Sequence, residues 1–153
     1  METSGGNLRP IRVLLVEDSP GDVRLMQEAF RDARPSIFLH VAPDGMEAMA
    51  FLRRDGDYAQ APRPDLILLD LNLPKMDGRE VLVRIKSDSS LKTIPTVILS
   101  TSVSEDDVEI SYQHGANCYF RKPVEWDAFV SLVKSINEFW LTRVRLPQNR
   151  KGE

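Results

Sequence analysis

The sequence predicts an α/β protein: a doubly wound, five-stranded parallel sheet with helices on both faces. Three observations carry that expectation. Short apolar runs alternate with helical patterns five times along 153 residues. Two of the runs, RVLLV and LILLD, have unbroken apolar centres, as strands covered on both faces require. Connections long enough to hold a helix separate every pair of runs, which favours parallel strands joined by right-handed crossovers.

The elements follow in order. Ile11 to Val16 is the first strand. Ser19 is placed to cap a helix with Pro20 at its first position and Asp22 close behind. Val23, Met26, Phe30 and Ala33 continue at helical spacing, and Arg34-Pro35 stops the helix. Ile37 to Val41 alternates and reads as the second strand. Asp44 caps a second helix with Ala48, Phe51 and Leu52 on its apolar side. A polar loop runs from Arg53 to Pro64. Asp65 to Asp70 is the third strand, and the turn LPKMDG leads into a third helix holding Val81, Leu82 and Ile85. Thr96 to Ser100 is the fourth strand. Ser104 with Asp107 opens a fourth helix, and Gly115 stands where a C-terminal cap belongs. Ala116 to Phe120 is the fifth strand, and the last helix starts near Glu125. The natural arrangement is the flavodoxin-like order 2-1-3-4-5, with the functional crevice outside the carboxyl ends of the strands.

Composition excludes several classes. Hydrophobic residues make up 42% and charged residues 28%, an ordinary globular balance. Lys and Arg number 20 against 23 Asp and Glu, giving a net charge of −3 and no electrostatic footprint for nucleic acid. A single cysteine forms no internal disulfide. No apolar stretch approaches the ~20 residues of a membrane span, and METSGGNLRP lacks the core of a secretory signal. The expectation is a soluble, cytoplasmic protein: a flexible lead-in over 1–10, one domain over 11–144 and an extension over 145–153.

The strand ends carry the chemistry. Strand one ends in Glu17-Asp18, strand three in Asp70 followed by Leu71 and Asn72, strand four in Ser100-Thr101, and strand five in Arg121-Lys122-Pro123. In the order 2-1-3-4-5 these are neighbours. Three carboxylates, a hydroxyl and an ammonium then converge on one crevice. Clustered carboxylates repel one another, and an oxygen-seeking divalent cation such as Mg2+ relieves the repulsion. An oxygen nucleophile, a metal, and cationic and hydroxyl groups are what phosphoryl transfer needs, and aspartate is an established phosphoryl acceptor. Any one of these residues taken alone reads as a cap, a turn or a solvated charge; the conjunction carries the argument. His40 reads as a half-buried edge-strand side chain, His114 as a helix-end imidazole, and Cys118 as a small apolar group. The two histidines lack metal-ligand spacing.

LLVEDSPGD, LILLDLNLPKMDG, PTVILSTS and GANCYFRKP together resemble the receiver domain of bacterial two-component response regulators, over about residues 11 to 140. Asp70 precedes Ser100 by 30 residues and Lys122 by 52, spacings that suit that pattern. The resemblance implies that Asp70 is the phosphoacceptor, that Asp18 binds Mg2+ directly and Glu17 through water, and that the Asn72 carbonyl completes the protein ligands. It further implies that Ser100 is the switch hydroxyl, that Lys122 bridges to the phosphoryl group before a cis Pro123, and that Tyr119 is the aromatic switch. Glu17 is one methylene longer than the Asp often found there, and Thr101 is larger than the usual Ala or Gly. The loop RRDGDYAQAPRPD and the tail FWLTRVRLP resemble the single-domain regulators associated with bacterial and cyanobacterial phytochromes. That implies a phosphohistidine donor on a light-regulated kinase, and a signalling switch with slow autodephosphorylation rather than a turnover enzyme.

Three rivals are weaker. A haloacid dehalogenase-like phosphatase wants an acid where Asn72 stands. A flavodoxin-like cofactor binder would not surround a phosphate with Glu17, Asp18 and Asp22. An interaction or dimerisation module without phosphorylation leaves the assembled pocket unused. The last helix carries two apolar stripes. Phe129, Leu132, Ile136 and Phe139 form one, which is expected to lie on the sheet. Trp126, Val130, Val133, Trp140 and Val144 form the other. The second stripe predicts a homodimer through helix four, strand five and helix five.

Overall fold

The computed structural model describes residues 9–32 and 36–147. The lead-in over 1–8, the Arg34-Pro35 stop and the extension past Pro147 lie outside the described residues. The elements are β1 (Ile11–Val16), α1 (Pro20–Phe30), β2 (Ile37–Ala42), α2 (Gly45–Arg53) and β3 (Leu66–Asp70). They continue with α3 (Gly78–Ser87), β4 (Thr96–Ser100), α4 (Glu105–Gln113), β5 (Cys118–Arg121) and α5 (Trp126–Glu138). The sheet order is β2-β1-β3-β4-β5 and every pair is parallel, as the alternation predicted.

Local chemistry sets the ends. The Ser19, Asp44, Asp77 and Ser104 side chains accept backbone N–H bonds at the starts of α1 to α4. Gly115 closes α4 with φ at 100°, a left-handed conformation that favours glycine. Two boundaries differ from expectation. Strand β3 begins at Leu66, because the Asp65 carboxylate is turned to Arg9 and to the Arg12 amide. Strand β5 begins at Cys118, because Ala116 closes the α4 turn through a bond from its N–H to the Ser111 carbonyl.

Each sheet face has its own core. Leu14, Val16, Ile67, Leu69 and Ile98 pack against α2 and α3. On the other face Val13, Leu15, Leu68, Val97 and Leu99 pack against α1 and α5. Strands β3 and β4 are buried end to end, which holds their carboxyl ends in fixed register.

Helix α5 corrects the expected stripes. Val133 is fully buried beside Phe129 and Ile136, so it belongs to the chain's own core and not to an outer face. These three residues span about 60° of a regular helix, midway between the two expected stripes. Phe139, expected on the sheet, is 54% exposed. On a regular helix Phe139 already stands about 90° from the centre of the buried arc, so it faces out without any irregularity. From there a π-helical turn over Phe139–Arg143, closed by the Val144 N–H on the Phe139 carbonyl at 2.9 Å, brings Leu141 into the core. Val133→Ala should therefore cost about 2 kcal/mol in urea unfolding. Trp126→Ala, at a side chain 57% exposed, should cost no more than about 0.5 kcal/mol.

Candidate functional site

The carboxyl ends of the four strands β1, β3, β4 and β5 meet as expected. Lys122, just past β5 and 5% exposed, donates to Glu17 Oε1 at 2.5 Å, to Asp22 Oδ2 at 3.0 Å and to Asp70 Oδ2 at 3.3 Å. Glu17 and Asp70 are themselves 2% and 8% exposed, whereas Asp18 faces solvent. One carboxylate oxygen from each of Glu17, Asp18 and Asp70 lies within 4.8 Å of the other two. Ser100 is fully buried at the end of β4.

Three carboxylates share one ammonium, and a fourth, Asp18, lies close by. Burial pushes the Glu17 carboxyl up to about 7, against the opposing pull of Lys122. Burial alone would lower Lys122, yet Glu17, Asp70 and Asp22 together hold it above its ordinary value. The cluster is thus short of positive charge, and its donors are all oxygen. A hard divalent cation fits such a set: Glu17, Asp18 and Asp70 would hold it, and its charge would offset theirs.

Close packing positions Asp70. A Cβ on Gly78 would lie 2.2 Å from the Asp70 carbonyl oxygen, so only glycine lets α3 start against the end of β3. The Asn72 N–H donates to Asp70 Oδ1 at 3.2 Å, which fixes the carboxylate plane. The Ser19 N–H donates to Glu17 Oε2 at 3.1 Å and orients the neighbouring carboxylate.

A polar chain leads away from Ser100. Its Oγ accepts the Ser102 N–H at 3.1 Å, and Ser102 Oγ donates to Asp107 Oδ2 at 2.6 Å. Arg79 on α3 then grips Asp107 through two bonds of 3.1 and 2.9 Å. The guanidinium also reaches Asp77. Thr101 is exposed beside this chain. The Tyr119 ring packs, partly buried, on the α2–α3 core. Its hydroxyl is buried with no partner among the described residues. Outside it, the Tyr112 hydroxyl accepts the Tyr119 N–H at 3.1 Å.

Sequence reasoning assembled Glu17, Asp18, Asp70, Ser100 and Lys122 correctly in space. It missed Asp22 as a Lys122 partner, treating it as a first-turn charge; its place one helical turn past Asp18 was the available signal. It also missed Arg79 and Ser102, which no spacing rule connects. The Arg79 guanidinium and the Ser102 hydroxyl hold the Asp107 carboxyl below the usual carboxylate range. A depressed carboxylate stabilises above its unfolded pKa and loses that contribution as pH falls. Asp107→Asn should therefore lower stability at neutral pH by under about 1 kcal/mol, given solvent screening of the pair. The gap between parent and variant in denaturant melts should narrow as pH falls through and below the ordinary aspartate range.

Fold and site together define a receiver: a parallel α/β sheet with an acidic cluster, a buried lysine and a hydroxyl at its carboxyl edge. The family model for the response regulator receiver domain matches residues 13–134, and the chain belongs to that family of signalling proteins. It is 50% identical to the response regulator Rcp1 of Synechocystis sp. over 138 residues, 90% of this chain and 94% of that protein. The Mn(2+)-bound form of Rcp1 superposes with a TM-score of 0.89 at 50% identity, covering 91% of this chain and 100% of that one. The phosphorylated cyanobacterial phytochrome response regulator RcpA gives 0.89 at 52% identity, covering 92% and 100%. Among the described residues no helix is long and apolar enough to cross a membrane.

Proposed function

We propose that this chain is a cytoplasmic phosphoacceptor switch, one receiver unit over 11–144, that takes a phosphoryl group from a kinase phosphohistidine onto Asp70. The observation that carries the reading is the Lys122 ammonium bridging Asp70, Glu17 and Asp22 inside an oxygen-only cluster. An Asp70 carboxylate oxygen attacks phosphorus, forming the acyl phosphate as the phosphorus–imidazole nitrogen bond breaks. The electron pair leaves with the imidazole, which takes up a proton. Asp18, Asp70, the Asn72 carbonyl and Glu17 would hold Mg2+, whose charge would offset that of the phosphoryl oxygens. Lys122 shifts from the carboxylates to a phosphoryl oxygen, and Ser100 donates to another. Water reaching the acyl phosphate past Thr101 gives slow autodephosphorylation, with no turnover of an external substrate.

Rcp1 and RcpA support a phytochrome-type histidine kinase as the donor. No partner that is nucleic acid or membrane is proposed. A homodimer through α4, β5 and α5 is retained with a reduced set of residues: Trp126, Val130 and Val144. Val133 and Trp140 are withdrawn from it, since both pack on the chain's own core and the Trp140 Nε1 is buried. The support is the exposure of Trp126 and of Phe139, whose ring meets Trp140 edge-on at 5.9 Å.

Acetyl phosphate with Mg2+ should label the purified chain, and Asp70→Asn should abolish the label in intact-mass spectra. Asp18→Ala should cut the labelling rate at least ~100-fold through loss of metal; labelling of Asp70→Asn at the parent rate would overturn the assignment. Sedimentation should show a dimer that the double substitution Trp126→Glu with Phe139→Glu converts to a folded monomer. A parent that stays monomeric with and without phosphorylation would remove the dimer reading.

A further inference from the structure

At the amino end of the sheet, far from Asp70, an open cavity of about 140 Å3 lies against the face of β1 and β2 that α2 covers. Its origin is a length mismatch. Helix α2 has nine residues, about 13.5 Å, while β2 has six, about 20 Å. The helix stops at Arg53, and Arg54 reverses the chain in the left-handed region with φ at 58°. The lower end of β2 is left to the loop. Arg12, Phe38 and His40 form the floor, Phe51 the wall, and Pro62 and Pro64 the lip. The volume is close to that of the ~150 Å3 apolar cavities that take up a single benzene ring.

Two polar groups in this cleft have no assignment. Arg12 is half-buried on a strand face otherwise built of Leu14 and Val16. Its guanidinium has no hydrogen-bonding or ionic partner among the described residues. Asp65 is close, but both its oxygens are taken: Arg9 bonds them at 3.0 and 2.7 Å, and the Arg12 backbone N–H adds 2.9 Å. His40 stacks on Phe51 with centroids 4.1 Å apart and meets Tyr58 edge-on. Its Nε2 is buried without a partner among the described residues. Burial lowers the imidazole pKa, so the ring is neutral at pH 7. The buried ring nitrogen is costly unless something meets it, and the half-buried guanidinium, whose nitrogens reach solvent, is free to meet an anion.

The register sets their separation. Arg12 lies opposite Phe38 and Leu14 opposite His40, so the two polar groups are offset by two residues along one face. That is about 6.6 Å along the strands and about 4.8 Å across to the neighbouring one, so their α-carbons stand about 8 Å apart, room for one aromatic ring with a polar group at each end. We propose that this cleft binds a small hydroxylated aromatic carboxylate, with its carboxylate on Arg12, its ring against Phe38 and Phe51, and its hydroxyl on His40 Nε2. The one-ring volume favours a free small molecule over a peptide segment. The proposal does not depend on phosphorylation.

The test is NMR titration of the full chain with 4-hydroxybenzoate, with benzoate and phenol as single-function probes. Saturable shifts are expected at the amides of Arg12, Leu39, His40 and Phe51, at equal affinity in Asp70→Asn. Phenol and the Arg12→Met variant should each bind about tenfold more weakly, the worth of one charge-assisted bond. His40→Phe should remove the preference for 4-hydroxybenzoate over benzoate. No shift at millimolar ligand would overturn the proposal. So would equal affinity for phenol and 4-hydroxybenzoate, which would mean that only apolar surface is read. Shifts at these amides that grow with protein concentration in the absence of ligand would assign the cleft to a second copy instead. If Arg12→Met melts early, the comparison of probes on the unsubstituted chain decides alone.

Discussion

Lys122 is an ammonium taken almost wholly out of water and held by carboxylates from three places in the chain: Glu17 after β1, Asp22 on α1 and Asp70 on β3. An isolated buried ammonium would lose its proton, and isolated buried carboxylates would gain one. Each side therefore makes the other tolerable, and the arrangement persists only while the strand ends stay in register. Buried ion pairs are weak evidence of added stability, since well-packed apolar side chains serve as well or better. What the cluster gives is an unbalanced excess of negative oxygen around one movable cation. A divalent ion and a phosphoryl group both change that balance, so the same constraint that fixes the strand ends makes the site responsive.

The response has a receptive neighbour. Helices α2, α3 and α5 are anchored by buried apolar side chains, whereas the one fully buried residue of α4 is Ser111. Polar links hold α4 instead: Asp107 to Ser102 and Arg79 at its start, and Tyr112 to β5 at its end. Each such link is worth about 1 kcal/mol. A phosphoryl oxygen would accept the Ser100 O–H, and drawing Oγ toward it would pull on the Ser102 N–H that the same oxygen accepts. The energy available at the site is thus of the same order as what holds α4 in place, which is the requirement for a two-state element.

Strand order and the pocket were legible because both follow from patterns of one kind. Continuous apolar runs mark buried strands, and in a parallel sheet the residue after each run is placed by topology alone. Glu17, Asp70, Ser100 and Lys122 could therefore be gathered from the sequence. Asp22 was hidden by having two valid roles, since a carboxylate in a first helical turn needs no further reason. Arg79 and Asp107 sit on different helices, and side-chain reach across 28 residues follows no period. The α5 stripes failed for a sharper reason. The buried arc of Phe129, Val133 and Ile136 falls between the two stripes, because packing on the sheet and not the helix's own pattern sets how the helix is rotated. Past Phe139 the π turn also brings Leu141 into the core, which no residue in FWLTR signals by type.

The two edges of the sheet meet different demands. An edge strand leaves backbone donors unpaired and invites another chain. Strand β5 is four residues long, and its Tyr119 N–H is met by a side chain, the Tyr112 hydroxyl on α4. That donor is thus satisfied only while α4 holds its present place. Moving α4 would uncover that backbone amide on an edge strand, where another chain could meet it. Lys122 and Ser100 stand at the ends of β5 and β4, and Ser100 is joined through Ser102 to the polar bonds that hold the start of α4.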